Sequence, residues 1–238
     1  MTSLKAHLRY VFRISMGAPE IWDISAQARR QSADLPGRLR DLCAKLSPHV
    51  RSCDVSPIFL LSAGWRSGST LLQRMIMEKN HDILMWGEPF DHASIFDRML
   101  DQLRCFTSSW PPESWFMSSM APEGLSDRWI ANLYPDTDDL LLAHRAFFDT
   151  IFGKPAAAAG ARNWGVKDVR LSIEHAEYFR VLYPKCKVIL LYRDPRAAYR
   201  SYRSVGPWFR RWPDRLVATP FAFGRQWANH HHGRGPSG

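Results

Sequence analysis

A chain of 238 residues, 45% hydrophobic and 23% charged, can close a core by itself, which excludes general disorder and repetitive fibrous structure. Its 32 Lys and Arg against 23 Asp and Glu leave a formal net charge of +9. An excess of that size suggests an anionic partner: nucleic acid, a membrane surface or a phosphorylated cofactor.

The four cysteines (Cys43, Cys53, Cys105, Cys186) lie far apart and form no C-x-x-C pair, so reduced thiols are expected rather than a disulfide framework or structural zinc. No apolar run approaches the roughly 18–20 residues of a membrane span, and a cytoplasmic location is the expectation.

Residues 1–55 read as an N-terminal helical segment with interruptions at Pro19, Pro36–Gly37 and Pro48. Its first 19 residues carry Lys5, Arg9 and Arg13 and no acid, beside Leu4, Leu8, Val11 and Phe12. A helix docked on the main domain is expected there, with a membrane-surface or targeting helix as the alternative. Residues 57–62 form a short apolar run and predict a buried strand, followed by a loop over 64–68. Residues 69–79 predict a helix with Leu71, Leu72, Met75 and Ile76 on one side. A second strand is expected at 83–86, stopped by Gly87 and Pro89. Residues 91–150 read as mostly helical, broken at Trp110-Pro-Pro112 and Tyr134-Pro135, and 156–160 as a small-residue linker.

A third strand is expected at 163–167, a helix at 173–182 and the clearest strand at 187–192. Asp194-Pro195 supplies an N-cap and a proline at the first helical position, opening a helix to about Arg203. A last helix covers 221–232, and 233–238 read as a flexible tail. Strands alternating with helices give an α/β domain over 56–232, a central parallel sheet flanked by helices, whose ligands bind beyond the carboxyl ends of the strands.

The charge is segmented. Residues 1–56 carry a net of +4 and residues 196–215 a net of +5, whereas residues 86–149 hold 11 acids and 4 bases. Within the second basic segment, Trp208, Phe209 and Trp212 alternate with Arg210, Arg211 and Arg215. Such a loop suits covering a cofactor or acceptor; RNA binding is the less favoured reading.

Between the first strand and its helix runs Ala63-Gly-Trp-Arg-Ser-Gly-Ser-Thr70. Small residues there let backbone N–H groups close around an anion at a helix N-terminus. Set against the nucleotide loop G-x-x-x-x-G-K-[ST], Gly68 and Thr70 fit, Ala63 replaces the first glycine, and Ser69 stands where the lysine belongs. The nearest cation is Arg66 instead. An ATPase or kinase needs that lysine on its terminal phosphates, so both are disfavoured. A Gly/Ser turn capping an ordinary helix is the plainer alternative.

Arg66-Ser-Gly-Ser-Thr-Leu-Leu72 resembles the 5′-phosphosulfate loop of sulfotransferases that use 3′-phosphoadenosine 5′-phosphosulfate (PAPS). Leu191-Tyr-Arg-Asp-Pro-Arg-Ala-Ala-Tyr-Arg-Ser201 resembles their 3′-phosphate motif, an arginine ending a strand and a serine eight residues later. Trp86-Gly-Glu-Pro89 and Gly165-Val-Lys-Asp168 resemble intermediate blocks of the same family. The likeness covers about residues 55–230 and is closest to the tyrosylprotein and bacterial carbohydrate or glycolipid branches.

The resemblance implies a P-loop-like three-layer fold and sulfuryl transfer from PAPS to an acceptor hydroxyl, releasing 3′,5′-ADP without a metal. Arg66, with Ser67, Gly68, Ser69 and Thr70, would hold the 5′-phosphosulfate, and Arg193 with Ser201 the 3′-phosphate. Glu88 would remove the acceptor proton and Lys167 stabilise the transferring group. The blander alternatives are a solvated loop carboxylate for Glu88 and a strand-end pair of Lys167 with Asp168. A carbohydrate, lipid-linked or tyrosyl hydroxyl fits as acceptor, the acidic 86–149 stretch disfavouring an acidic polypeptide. His230-His-His232 reads as a polar helix end rather than a metal site, and Ser62 and Ser172 lack the G-x-S-x-G elbow of a hydrolase nucleophile. Family members continue past the 3′-phosphate helix with a further strand, so an incomplete C-terminus and a missing edge strand are expected. An inactive nucleotide-binding module is the alternative to an enzyme.

Overall fold

A strand whose side chains are buried on both faces must lie between two covered layers. Ile58–Ser62 (β1) is such a strand: uncharged, with all five residues buried. The computed structural model describes residues 35–62, 64–89, 95–106, 111–119, 133–204 and 219–232. The basic N-terminal 34 residues, the basic-aromatic segment 205–218 and the tail 233–238 lie outside these, as do the expectations attached to them.

Among the described residues, four strands form one parallel sheet in the order β2-β3-β1-β4, with β2 at Ile83–Gly87, β3 at Asn163–Asp168 and β4 at Lys187–Leu191. The register sets Gly87 beside Lys167, Leu61 beside Asp168 and Ser62 beside Leu191, so all four carboxyl ends share one edge. Helices flank the sheet: α1 (Leu35–Lys45), α2 (Pro48–Arg51), α3 (Ser69–Lys79), α4 (Ile95–Asp101), α5 (Thr137–Phe148), α6 (Lys154–Ala158), α7 (Ile173–Leu182), α8 (Pro195–Arg203) and α9 (Pro220–His232).

The strand period of two divides the core. Phe59 and Leu61 point with Trp164 and Val166 into the larger cluster, filled by Leu35, Leu39, Leu141, Phe148 and Phe179. There Phe59 stacks on Phe179 with ring centroids 3.7 Å apart, fixing β1 to α7. Ile58, Leu60 and Met85 face the other side, where Leu72 and Ile76 of α3 cover them. Arg145 is buried but satisfied: its Nε donates to the Leu182 carbonyl at 2.7 Å and its Nη2 to that of Val50 at 2.5 Å, tying α5 to α7 and α2. At Gly165, in the second strand from the edge, a Cβ would lie 2.2 Å from Met85 Sδ and 2.5 Å from the Ile58 carbonyl.

Several expectations need correction. Of the four apolar residues expected on one side of α3, Leu72 and Ile76 pack inward, whereas Leu71 and Met75 are 65% and 49% exposed. The Leu-Leu and Met-Ile doublets fit two stripes about 100° apart, and the sheet selects one. The expected linker at 156–160 is largely helix α6, as its alanines favour, with Ala156 buried. Pro36 and Gly37 lie in the first turn of α1, and the break expected at Pro48 is the gap between α1 and α2, where Pro48 opens α2 behind a Ser47 cap. The strand expected at 187–192 is present as β4; it is half-exposed and, among the described residues, lies at one edge of the sheet. Cys43, Cys53 and Cys186 are free thiols, and no described helix is long and apolar enough to cross a membrane.

Candidate active site

The turn after β1 is built on glycines. Gly64 and Gly68 adopt φ of 84° and 99°, a region that disfavours any Cβ. Gly68 is the N-cap of α3 and offers no side chain to its first turn, which holds no acid either. The first amides of an 11-residue helix are thus left without a side-chain cap. By contrast, α8 is closed: Asp194 accepts from the Ala197 N–H at 2.9 Å, and Pro195 removes a donor. Of the two motif helices, α3 is the one prepared for an anion. Ser67 and Ser69 are buried, Thr70 and Gly68 exposed, and the Ser67 hydroxyl has no hydrogen-bond partner among the described residues.

Arg66, an exposed non-glycine residue at φ 62°, links the two motifs. Its Nε donates to Ser201 Oγ at 3.1 Å, and its carbonyl accepts from Arg193 Nη1 at 2.8 Å. Residues 127 and 135 positions away in sequence therefore meet it directly. The indole of Trp227 on α9 donates to the Arg193 carbonyl at 3.1 Å, fastening the last helix to the same corner. Trp65, next to Arg66, stacks near Tyr202 of α8 with centroids 5.8 Å apart.

At the other end of the edge, Glu88 follows β2 with φ 20° and donates its N–H to the Lys167 carbonyl at 2.7 Å. Lys167 Nζ donates to Glu88 Oε1 at 2.5 Å, the lysine side chain being 6% exposed and the glutamate 27%. The lysine pairs with Glu88, not with Asp168 as the plainer reading had it. Asp168 accepts instead from the Arg170 N–H at 2.9 Å. Burial, partly offset by Arg170, pushes the Asp168 carboxyl up to about 6. Gln73 of α3 donates to the Met85 carbonyl at 2.9 Å, so the helix that follows the glycine turn also braces the strand that leads into Glu88.

The residues named from the sequence for catalysis and cofactor binding thus lie at the carboxyl edge, in two groups. Arg66, Ser201 and Arg193 are joined, with Ser67, Gly68, Ser69 and Thr70 in the same loop; Glu88 and Lys167 are joined beside them. The residues missed were Trp65, Asp168, Arg170 and Trp227. A charged Lys167-Asp168 pair and Arg170, ending an otherwise apolar strand, was the available signal for two of them. Ser172 is accounted for structurally: it caps α7 in a reciprocal box with His175, whose Nδ1 accepts from the Ser172 N–H at 3.1 Å. Ser62 donates to the Gly64 carbonyl at 3.2 Å. Neither is poised as a nucleophile.

No curated protein and no solved structure matches the chain. The family model described as sulfotransferase family matches residues 57–232. That span opens one residue before β1 and closes on the last residue of α9, enclosing the sheet, the open helix start, the arginine-serine corner and the lysine-glutamate pair. By that match the chain belongs to the sulfotransferase family.

Proposed function

We propose that this protein transfers a sulfuryl group from PAPS to an acceptor hydroxyl, and that a carbohydrate or lipid-linked alcohol is the acceptor. The observation that carries the reading is the order of the strand ends. Across the sheet edge run Glu88 after β2, Lys167 on β3, the Gly68 loop after β1 and Arg193 after β4. At roughly 4.8 Å per strand this row spans about 14 Å. In-line transfer needs the same sequence of groups: a proton acceptor, a cation for the moving SO₃, an anion cradle for the leaving phosphate, and a cation for the distal phosphate.

In this scheme the α3 amides and Arg66 hold the 5′-phosphosulfate, while Arg193 and Ser201 hold the 3′-phosphate. Glu88 takes the acceptor O–H proton as the acceptor oxygen bonds to sulfur. The bond from sulfur to the bridging oxygen breaks, its electron pair stays on the phosphate beside Arg66, and 3′,5′-ADP leaves. Lys167 offsets charge on the sulfuryl oxygens during the passage. The lower charge of a sulfuryl group places less demand on a divalent cation than a phosphoryl group does.

Calorimetric titration with 3′,5′-ADP, ATP and 5′-AMP tests the donor half. Preference for 3′,5′-ADP, lost in Arg193→Ala, is expected; equal or tighter ATP binding with magnesium would overturn the reading. Sulfuryl transfer from labelled PAPS to a panel of sugar, lipid and phenolic alcohols tests the other half. Glu88→Gln should abolish turnover while leaving 3′,5′-ADP affinity intact.

A further inference from the structure

Arg170 has no part in the scheme so far, yet it reaches both halves of the site. It stands two residues past β3, its side chain 16% exposed. Its guanidinium carbon lies 5.6 Å over the Trp65 ring, beside Arg66 in the phosphate loop. On its other side, Nη1 is 3.8 Å from Glu88 Oε2 and 4.0 Å from Asp168 Oδ1. Among the described residues, the charged groups facing Glu88 are Lys167 and Arg170, with Asp168 behind them and His175 beyond it.

Resting on the sulfuryl-transfer reading, the geometry poses a conflict. Lys167 is needed on the moving SO₃, but its ammonium occupies Glu88 Oε1 at 2.5 Å. A carboxylate receiving a short charge-assisted hydrogen bond is a poor proton acceptor. If sulfonate oxygens draw Lys167 away, Glu88 becomes available as a base but loses its close cation in a partly buried position. Without a second cation that carboxylate would have no charge beside it to hold its orientation in a partly buried position. Arg170 already stands near the other oxygen, at ion-pair rather than hydrogen-bond distance.

We propose that Arg170 is a positioning residue that keeps Glu88 oriented and ionised once the donor's sulfonate has drawn Lys167 off. Its contact with Trp65 ties that readiness to the loop that receives the donor. A purely structural ion pair would satisfy the same distances but would link no proton to donor binding.

Proton linkage therefore tests the proposal without an acceptor. PAPS is titrated calorimetrically into the full chain near pH 5.5 in buffers of different ionisation enthalpy, giving protons taken up per donor bound. The wild type should take up few. Arg170→Gln should raise the uptake several-fold while changing 3′,5′-ADP affinity by less than about threefold. In Arg170→Gln with Glu88→Gln the excess should vanish. Arg170→Lys, which keeps the charge and protects the fold, should fall between wild type and Arg170→Gln. Unchanged uptake in both Arg170 variants would overturn the proposal. So would an excess that persists without the Glu88 carboxyl, which would assign the proton to Asp168. Failure of the wild type to bind either nucleotide would overturn the donor reading itself, and the role of Arg170 with it.

Discussion

Asp168 offers a measurement of the electrostatic cost built into the site. Its carboxyl is nearly buried, and its affinity for a proton rises from an ordinary 3.8 to about 6. A raised value in the folded state means that the native protein holds the proton more tightly than the unfolded chain does. The associated stability is present below about pH 3.8 and is lost as pH rises through about 6. At 1.36 kcal/mol per pH unit the full difference is about 3 kcal/mol, of which about 2 kcal/mol is expressed by pH 4.5 relative to pH 8. Asp168→Asn keeps an oxygen for the Arg170 N–H and removes the ionisation. Urea unfolding of both proteins from pH 4.5 to pH 8 should therefore show the variant gaining on the wild type by about 2 kcal/mol across that interval. Any constant cost of the amide cancels in the comparison. Parallel stability curves would refute the reasoning, because they would mean that Asp168 is no harder to ionise in the folded state.

Gly165→Ala should unfold the domain or cost roughly 3 kcal/mol in urea titration, since the Ile58 carbonyl cannot retreat from a Cβ; adding Met85→Ala should not restore it. Gly68→Ala meets open space but a φ of 99°, so it should cost about 1–2 kcal/mol and weaken 3′,5′-ADP binding about tenfold by calorimetry. Trp227→Phe removes the indole donor to the Arg193 carbonyl and should weaken the same ligand by about fivefold while leaving the melting temperature of the sheet domain unchanged.

Much of the domain was legible because its signals are local. Asp194-Pro195 opens α8 where the cap chemistry says it should, and residues 173–182 form α7 without a one-residue error. The glycine turn before α3 was legible as well, since a turn-helix junction rich in Gly and Ser advertises a helix start without a side-chain cap. What failed depended on partners distant in sequence. Which face of α3 turns inward is decided by Ile58, Leu60 and Met85, not by the helix itself. The Arg66–Ser201 bond joins residues 135 positions apart and follows only from the adjacency of β1 and β4. Arg170 was passed over because its meaning lies in three neighbours from three segments, none of which it resembles in pattern.

The corner that gathers Arg66, Arg193 and Ser201 rests on the smallest apolar cluster described, Ala198, Tyr202 and Phe223 with Trp65 and Tyr199 against it. That cluster is separate from the large core around Phe59 and Phe179. Elements with little buried area open at a lower free energy than the global unfolding limit. Amides of α8 and α9 should accordingly exchange with deuterium sooner than those of β1 and β3. A nucleotide bound there as proposed would have an exit that leaves the sheet intact, so turnover would be limited by the opening of two helices rather than by the rigidity of the core.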